Sequence, residues 1–268
     1  MVCPYLPLLD DVKAVAHEAG RAIMAVYSRH DYRVKQKADA SPVTEADIAA
    51  HHVITKGLSA LTPDWPVLSE EGALPPFTER QQWQRYWLVD PLDGTREFIK
   101  CNGEFTVNIA LIEQGVAVMG VIQVPVSEAC YFALKAHGAY KDAPGKQAKK
   151  ISSRAWDGKQ ITIAGSRSNR VPVFNAFLEY FNRYELLALG SSLKSCYVAE
   201  GKADIYARFG PTAEWDTAAA QCIVEEAGGA LTDMALAPLR YNRKASILNP
   251  PFFAFGDGCH DWRRFVPR

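Results

Sequence analysis

Leu8, Leu9, Val12, Val15, Ala16, Ala19, Ile23, Val26 and Tyr27 recur at helical spacing, which predicts an amphipathic helix over about 5–28. A second helix is predicted from near Thr44, just after Pro42. Ile48, Val53 or Ile54, Leu58 and Leu61 form its apolar face, and Thr62-Pro63-Asp64 stops it. Short strands follow at Val67–Ser69 and Tyr86–Asp90. Phe105, Val107, Ile109 and Leu111 then alternate with Thr106, Asn108 and Ala110, the period of a strand with one buried face. Gln114-Gly115 turns that strand into another, Val116–Val124. The polar, lysine-rich stretch Lys141–Lys150 reads as a loop or as the seam between two halves, 1–145 and 146–268. The first half carries most of the candidate chemistry and the second completes the site. Beyond the seam the pattern predicts a strand at Ile161–Ala164, a helix near 172–182, a strand at Ala203–Phe209 and a helix over 217–227 that Gly228-Gly229 terminate. The class is α/β, layered, with antiparallel strands in the first half.

The chain has 268 residues, 48% of them apolar, enough for a core that needs no staples. Lys and Arg number 30, as do Asp and Glu, so the formal net charge is zero. A neutral chain without a long basic run is a poor binder of nucleic-acid polymers, although a few placed cations suffice for a small anion. The six cysteines form no C-x-x-C pair, which removes the signature of a zinc or redox motif. The N-terminal apolar stretch is short, lacks a basic start and meets Asp10-Asp11 at once. No run of ~20 apolar residues follows. A soluble, cytoplasmic protein without a transmembrane segment is expected, with peripheral attachment to the inner membrane left open.

Trp87-Leu88-Val89 leads straight into Asp90-Pro91-Leu92-Asp93-Gly94-Thr95. Pro91 is expected to end the strand ladder, and Gly94 to allow a sharp turn. The turn brings Asp93 beside Asp90, with the Leu92 carbonyl facing the same way. Two carboxylates this close repel unless a proton or a cation lies between them. Oxygen ligands without a nearby histidine favour Mg²⁺ over zinc. An Asx-type turn explains the same spacing without a metal. Other carboxylates bear on the choice. Glu70-Glu71 follow a short apolar strand. Asp216, before Ala218-Ala219-Ala220, stands where an N-cap belongs, and one oxygen can cap while the other binds metal. Gly94-Thr95 precede a predicted helical turn whose N–H groups face an incoming anion. The Thr95 hydroxyl can align an attacking water if a carboxylate takes its proton, and Asp47, at the start of the second helix, can be that carboxylate.

Together these stretches resemble the Mg²⁺-dependent, lithium-sensitive phosphatases of the inositol monophosphatase family. The family pattern is an acidic pair after a strand, then D-P-x-D-G-T, then W-D-x-A-A. Here these are Glu70-Glu71, Asp90 to Thr95, and Trp215 to Ala219, spread over nearly the whole chain. Within the family the chain is most similar to the bacterial 3′(2′),5′-bisphosphate nucleotidases, through Ser41 to Asp47, Pro66 to Glu71, Asn102 to Leu111 and Gly190 to Lys194. The resemblance implies an αβαβα sandwich of the sugar-phosphatase type. It implies two or three Mg²⁺ ions held by Glu70, Asp90, the Leu92 carbonyl, Asp93 and Asp216. It also implies a catalytic set of Thr95, Asp47 and Glu70, in which Thr95, supported by Asp47, orients the water. Three positions depart from the pattern. Gly72 replaces an acidic residue, Ala220 replaces a glycine, and Asn169 stands where bacterial relatives carry histidine.

The substrate expected on this basis is a small phosphorylated nucleotide. Adenosine 3′,5′-bisphosphate would be cleaved to AMP and phosphate by in-line attack of a metal-activated water, with its sulfated form as a second substrate in sulfur assimilation. Gly94, Thr95, Ser191, Lys194, Arg208 and Asp216 are the candidate substrate contacts. Lys194 lies near a helix start and Arg208 at a strand end, and both are suited to the phosphate that is not cleaved. The rivals are an inositol monophosphatase or a fructose-1,6-bisphosphatase-like sugar phosphatase, and a non-catalytic metal or nucleotide sensor. A sensor has no evident use for Thr95 and Asp47. The chain is expected as a monomer or a homodimer.

Overall fold

The two N-terminal helices form where the periodicity puts them. α1 spans Leu6–Tyr27 and buries Val12, Ala16, Ala19, Ile23 and Val26. The computed structural model describes residues 4–29, 34–36, 42–166 and 172–267, and Asn169 lies outside them. A two-stranded ribbon of β1 (Val34–Gln36) and β2 (Pro42–Thr44) leads into α2 (Glu45–Leu61). The Thr44 hydroxyl caps α2 by accepting from the Ala46 N–H at 3.1 Å.

Among the described residues a seven-stranded sheet follows. Its members are β3 (Val67–Ser69), β4 (Arg85–Asp93), β5 (Thr106–Glu113), β6 (Val116–Val124), β7 (Ala129–Leu134), β8 (Gly138–Ala143) and β9 (Lys146–Ile151), paired in that order. The short helices α3 (Phe77–Arg80) and α4 (Thr95–Ile99) flank β4. The pair β3–β4 is parallel and the later pairs are antiparallel.

Three expectations are corrected here. Lys141–Lys150 is not a loop. It forms most of the β8–β9 hairpin, whose outer strand keeps its lysines in water and so suits a sheet edge. β5 is buried on both faces rather than one, because a helical layer covers each side of the sheet. The β4 ladder does not end at Pro91. It breaks and resumes at Asp93, and the proline sits inside the irregularity.

The second half builds a smaller mixed sheet in the order β11-β10-β12-β14-β13. Its elements are β10 (Ile161–Gly165), α5 (Pro172–Leu178), β11 (Tyr184–Ala188), α6 (Leu193–Ala199), β12 (Ile205–Arg208), α7 (Glu214–Glu226), β13 (Ala230–Asp233) and β14 (Phe252–Phe255). Three apolar clusters define the layers. One joins α1 and α2 to the first sheet. A second joins that sheet through α6 and α7 to the smaller sheet. The third packs α5 and the C-terminal turn on the far face of the smaller sheet. The order is αβαβα. Gly120 shows how closely the middle layers meet: a Cβ there would lie 2.3 Å from the Ala219 carbonyl oxygen of α7. That approach lays α7 on β6, with β5 and β4 beside it.

Candidate active site

Asp90 ends the buried run Trp87-Leu88-Val89 and is itself only 2% exposed. Residues three apart on a regular strand point to opposite faces. Here Asp90 pairs with Asn108 and Asp93 with Thr106, so β4 advances three residues while β5 advances two. That one-residue bulge, holding Pro91, turns Asp93 to the face that Asp90 already occupies. Asp90 Oδ1 accepts from the Leu92 N–H at 3.0 Å, which fixes the turn. Gly94 follows at φ 95°, a left-handed conformation that a side chain would strain. It starts α4, as the sequence predicts.

Glu70 arrives from the neighbouring strand, its N–H extending the ladder to the Val89 carbonyl at 3.1 Å. Asp216 arrives from α7. It is not the N-cap expected from the sequence. Ala213 holds that place, and Asp216 in the first turn accepts from the Ala213 N–H at 2.9 Å. Glu70, Asp90 and Asp216 each place an oxygen within 4.8 Å of the other two. Burial, reinforced by Glu70, Asp93, Asp216 and Asp47, pushes Asp90 well above the usual carboxylate range. Burial, reinforced by Asp93 and Glu70, does the same to Asp216. A buried oxygen-only cluster strained by its own charge fits a hard divalent cation. The Leu92 carbonyl faces the same turn and accepts from the Thr95 hydroxyl at 3.4 Å.

Asp47 and Thr95, 48 residues apart, meet at 3.1 Å, with the Thr95 hydroxyl donating to Asp47 Oδ1. Asp47 Oδ2 accepts from the Thr44 N–H at 2.7 Å and the Thr44 hydroxyl at 2.6 Å. One oxygen caps the helix and the other serves Thr95.

A buried chain of polar groups stands behind Asp93, and no motif in the sequence announces it. The Thr106 hydroxyl donates to Asn108 Oδ1 at 2.9 Å, Asn108 Nδ2 donates to the Ser192 hydroxyl at 2.9 Å, and that hydroxyl donates to Asp93 Oδ2 at 2.8 Å. Thr106 and Asn108 look like a solvent-facing alternation, but in a strand covered on both sides they must satisfy each other.

Asp93, Gly94, Ser191, Lys194, Arg208 and Asp216 line one open cleft. Tyr206 and Phe252 add aromatic walls. Lys194, at the start of α6, is buried. It is 5% exposed and donates to the Ser191 carbonyl at 2.6 Å and the Leu189 carbonyl at 3.4 Å. Burial pushes its pKa down to about 8. Arg208 donates through Nη2 to the Pro211 carbonyl at 3.1 Å, and its buried Nε has no partner among the described residues. The buried Ser191 hydroxyl also has none among them.

The sequence matches the model of the inositol monophosphatase family over residues 7–254. It is 49% identical over 246 residues to the 3′(2′),5′-bisphosphate nucleotidase CysQ of Salmonella typhimurium, covering 91% of this chain and 98% of that one. The protein of the same name from Escherichia coli K12 matches with the same identity and coverage. Among solved structures, CysQ from Bacteroides thetaiotaomicron, described as a bacterial member of the inositol monophosphatase family, superposes with a TM-score of 0.82 at 38% identity. The match covers 96% of this chain and 99% of that one.

Proposed function

The chain belongs to the inositol monophosphatase family, and on that premise we propose that it is a Mg²⁺-dependent phosphomonoesterase that hydrolyses adenosine 3′,5′-bisphosphate to AMP and phosphate. The observation that carries this reading is the convergence of Glu70, Asp90 and Asp216 beside the hydrogen-bonded pair Thr95–Asp47. Glu70, Asp90, the Leu92 carbonyl, Asp93 and Asp216 would hold the metal. When bound, Mg²⁺ supplies charge to activate water and to stabilise the phosphoryl oxygens and the leaving alkoxide.

The rest is the work of this chain's residues. The Thr95 hydroxyl accepts a hydrogen bond from the attacking water and hands its own proton toward Asp47 Oδ1, whose other oxygen stays fixed by the cap. Asp47 thus acts as a base held in one orientation by a helix terminus. Ser192, backed by Asn108 and Thr106, keeps Asp93 aimed into the cleft. Backbone N–H groups after Gly94 face the phosphate undergoing attack. Tyr206 and Phe252 give the base an apolar wall. Arg208 through its Nε, and Ser191 through its hydroxyl, each a donor without a partner among the described residues, face the second phosphate together with Lys194. The names of the relatives support the bisphosphate in preference to an inositol or fructose phosphate. The sulfated nucleotide is a second substrate, since its phosphates occupy the same positions.

Phosphate release from adenosine 3′,5′-bisphosphate, its sulfated form, 3′-AMP, inositol 1-phosphate and fructose 1,6-bisphosphate, with Mg²⁺ and with chelator, tests the reading. The expected result is fastest turnover of the two bisphosphate nucleotides and none with chelator. Faster turnover of a sugar phosphate, or turnover without divalent cation, overturns it.

A further inference from the structure

A row of polar side chains crosses three strands of the first sheet, away from the β3–β4 end that carries the hydrolytic carboxylates. Gln123 of β6 is the register partner of Cys130 of β7, and Cys130 is the register partner of Asp142 of β8. Directly opposed residues on antiparallel strands share a face, with Cβ atoms about 4.5–5.5 Å apart. α1 lies over this row. Lys13 and His17 stand one turn apart on it, and Gly20 comes one turn later. A Cβ at Gly20 would lie 2.3 Å from Gln123 Oε1, so helix and row are in direct contact. His17, Cys130 and Asp142 each place a nitrogen, sulfur or oxygen ligand atom within 4.8 Å of the other two.

Two further observations point to a ligand. Gln123 is 2% exposed, and its Oε1 has no partner among the described residues. Buried amide oxygens are rarely left so. The Cys130 sulfur is fully buried, and its hydrogen-bond contact is to the Tyr131 carbonyl at 4.0 Å, too long to hold it firmly. Burial, with Asp142 nearby, also raises the thiol's pKa, so it is no reactive nucleophile. Lys13 already pairs with Asp142 Oδ2 at 2.9 Å and lies 4.1 Å from the Phe132 ring centre. A carboxylate has a second oxygen to offer.

We propose that His17, Cys130 and Asp142 form a site for a divalent transition metal of the zinc class, with a fourth position for water that donates to Gln123 Oε1. One nitrogen, one sulfur and one oxygen donor suit a borderline cation and not Mg²⁺. Half-buried His17 and Asp142 give entry from the surface, and Cys130 forms the floor. On binding, the Cys130 S–H bond breaks, the sulfur–metal bond forms, and the proton leaves to solvent. The metal ties α1 to β7 and β8. Lys13 is its competitor for Asp142.

Co²⁺ is the probe, because a thiolate ligand gives a near-ultraviolet sulfur-to-cobalt charge-transfer band that carboxylates do not. Reduced full-length protein titrated with Co²⁺ should develop the band, and Zn²⁺ should abolish it. Cys130→Ser should lack it while retaining Mg²⁺-dependent phosphate release, which shows that the variant is folded. His17→Ala and Asp142→Asn should weaken Co²⁺ binding by at least ~10-fold. Lys13→Gln should strengthen it. Asp90→Asn should leave the band unchanged, which separates this site from the hydrolytic one. No band in the wild type overturns the proposal. So does a band that survives Cys130→Ser, or unaltered Co²⁺ affinity in His17→Ala.

Discussion

The two walls of the cleft are built on opposite principles. The acidic wall, Asp93 and Asp216 with Asp90 and Glu70 close behind, crowds like charges that only something external can relieve. Each carboxylate is anchored on its outer side, Asp90 by the Leu92 N–H, Asp216 by the Ala213 N–H and Asp93 by Ser192. The basic wall, from α6 and β12, is largely satisfied from within. Lys194 is bonded to carbonyls, and Arg208 and Ser191 each leave one donor without a partner among the described residues. Unrelieved repulsion suits the cation that the proposed function requires. A few open donors on an otherwise satisfied surface suit the second phosphate of the proposed substrate. Under the proposed function the first wall sets the rate and the second sets the choice of substrate.

Breaking the acidic wall should have the largest effect. Asp90→Asn is expected to lower kcat/KM by about 10⁴-fold, on the order of 5–6 kcal/mol of charge stabilisation. Removing one of several repelling charges should at the same time raise stability in chelator. A gain of about 1 kcal/mol shifts Tm upward by roughly 2–4 °C. A variant that is inactive but less stable than the wild type would mean that Asp90 is structural. Thr95→Ala should lower kcat by roughly 10²–10⁴-fold with little change in Tm. Asp47→Asn combined with it should add little, because the two act as one unit. A fully additive loss separates them.

The acidic wall was legible in the sequence and the basic wall much less so. Asp90, Asp93 and Thr95 lie within six residues, and their turn is set by Pro91 and Gly94 through local backbone rules. Asp47 and Asp216 were legible as carboxylates at helix starts, where capping and the proposed chemistry ask for the same residue. The bulge was not legible, since Pro91 signals a broken ladder without saying that pairing resumes beyond it. Nor was the true environment of Thr106 and Asn108, because alternation cannot distinguish water from a second helical layer. The Lys141–Lys150 hairpin was not legible for a related reason: an edge strand keeps its charges in water and so reads as a loop. Lys194 drew attention as a cation, but whether an amine is free or bound to carbonyls depends on a turn closed by long-range packing.

Smaller changes sharpen the contrast. Arg208→Ala should lower kcat/KM for adenosine 3′,5′-bisphosphate by roughly 10–150-fold, the value of a charge-assisted hydrogen bond of ~1.5–3 kcal/mol, and change 3′-AMP little. Asn108→Ala should raise the Mg²⁺ requirement by about 10–100-fold for both substrates, since it loosens Asp93 through Ser192. An unchanged Mg²⁺ requirement would confine that chain of hydrogen bonds to folding. The smallest effect concerns pH. With the folded pKa of Lys194 down to about 8 from 10.5, its charge is lost as pH rises through about 8. The preference for bisphosphate over 3′-AMP should then fall a few-fold. The folded state binds fewer protons than the unfolded state in that window, so stability should rise with pH there. Lys194→Met should remove both trends.

The most direct test of the division between the walls is the ratio of kcat/KM for adenosine 3′,5′-bisphosphate to that for 3′-AMP, in wild type, Asp90→Asn and Arg208→Ala. Asp90→Asn should depress both values and leave the ratio where it was. Arg208→Ala should collapse the ratio while sparing 3′-AMP. A ratio that shifts in Asp90→Asn and holds in Arg208→Ala would contradict the account.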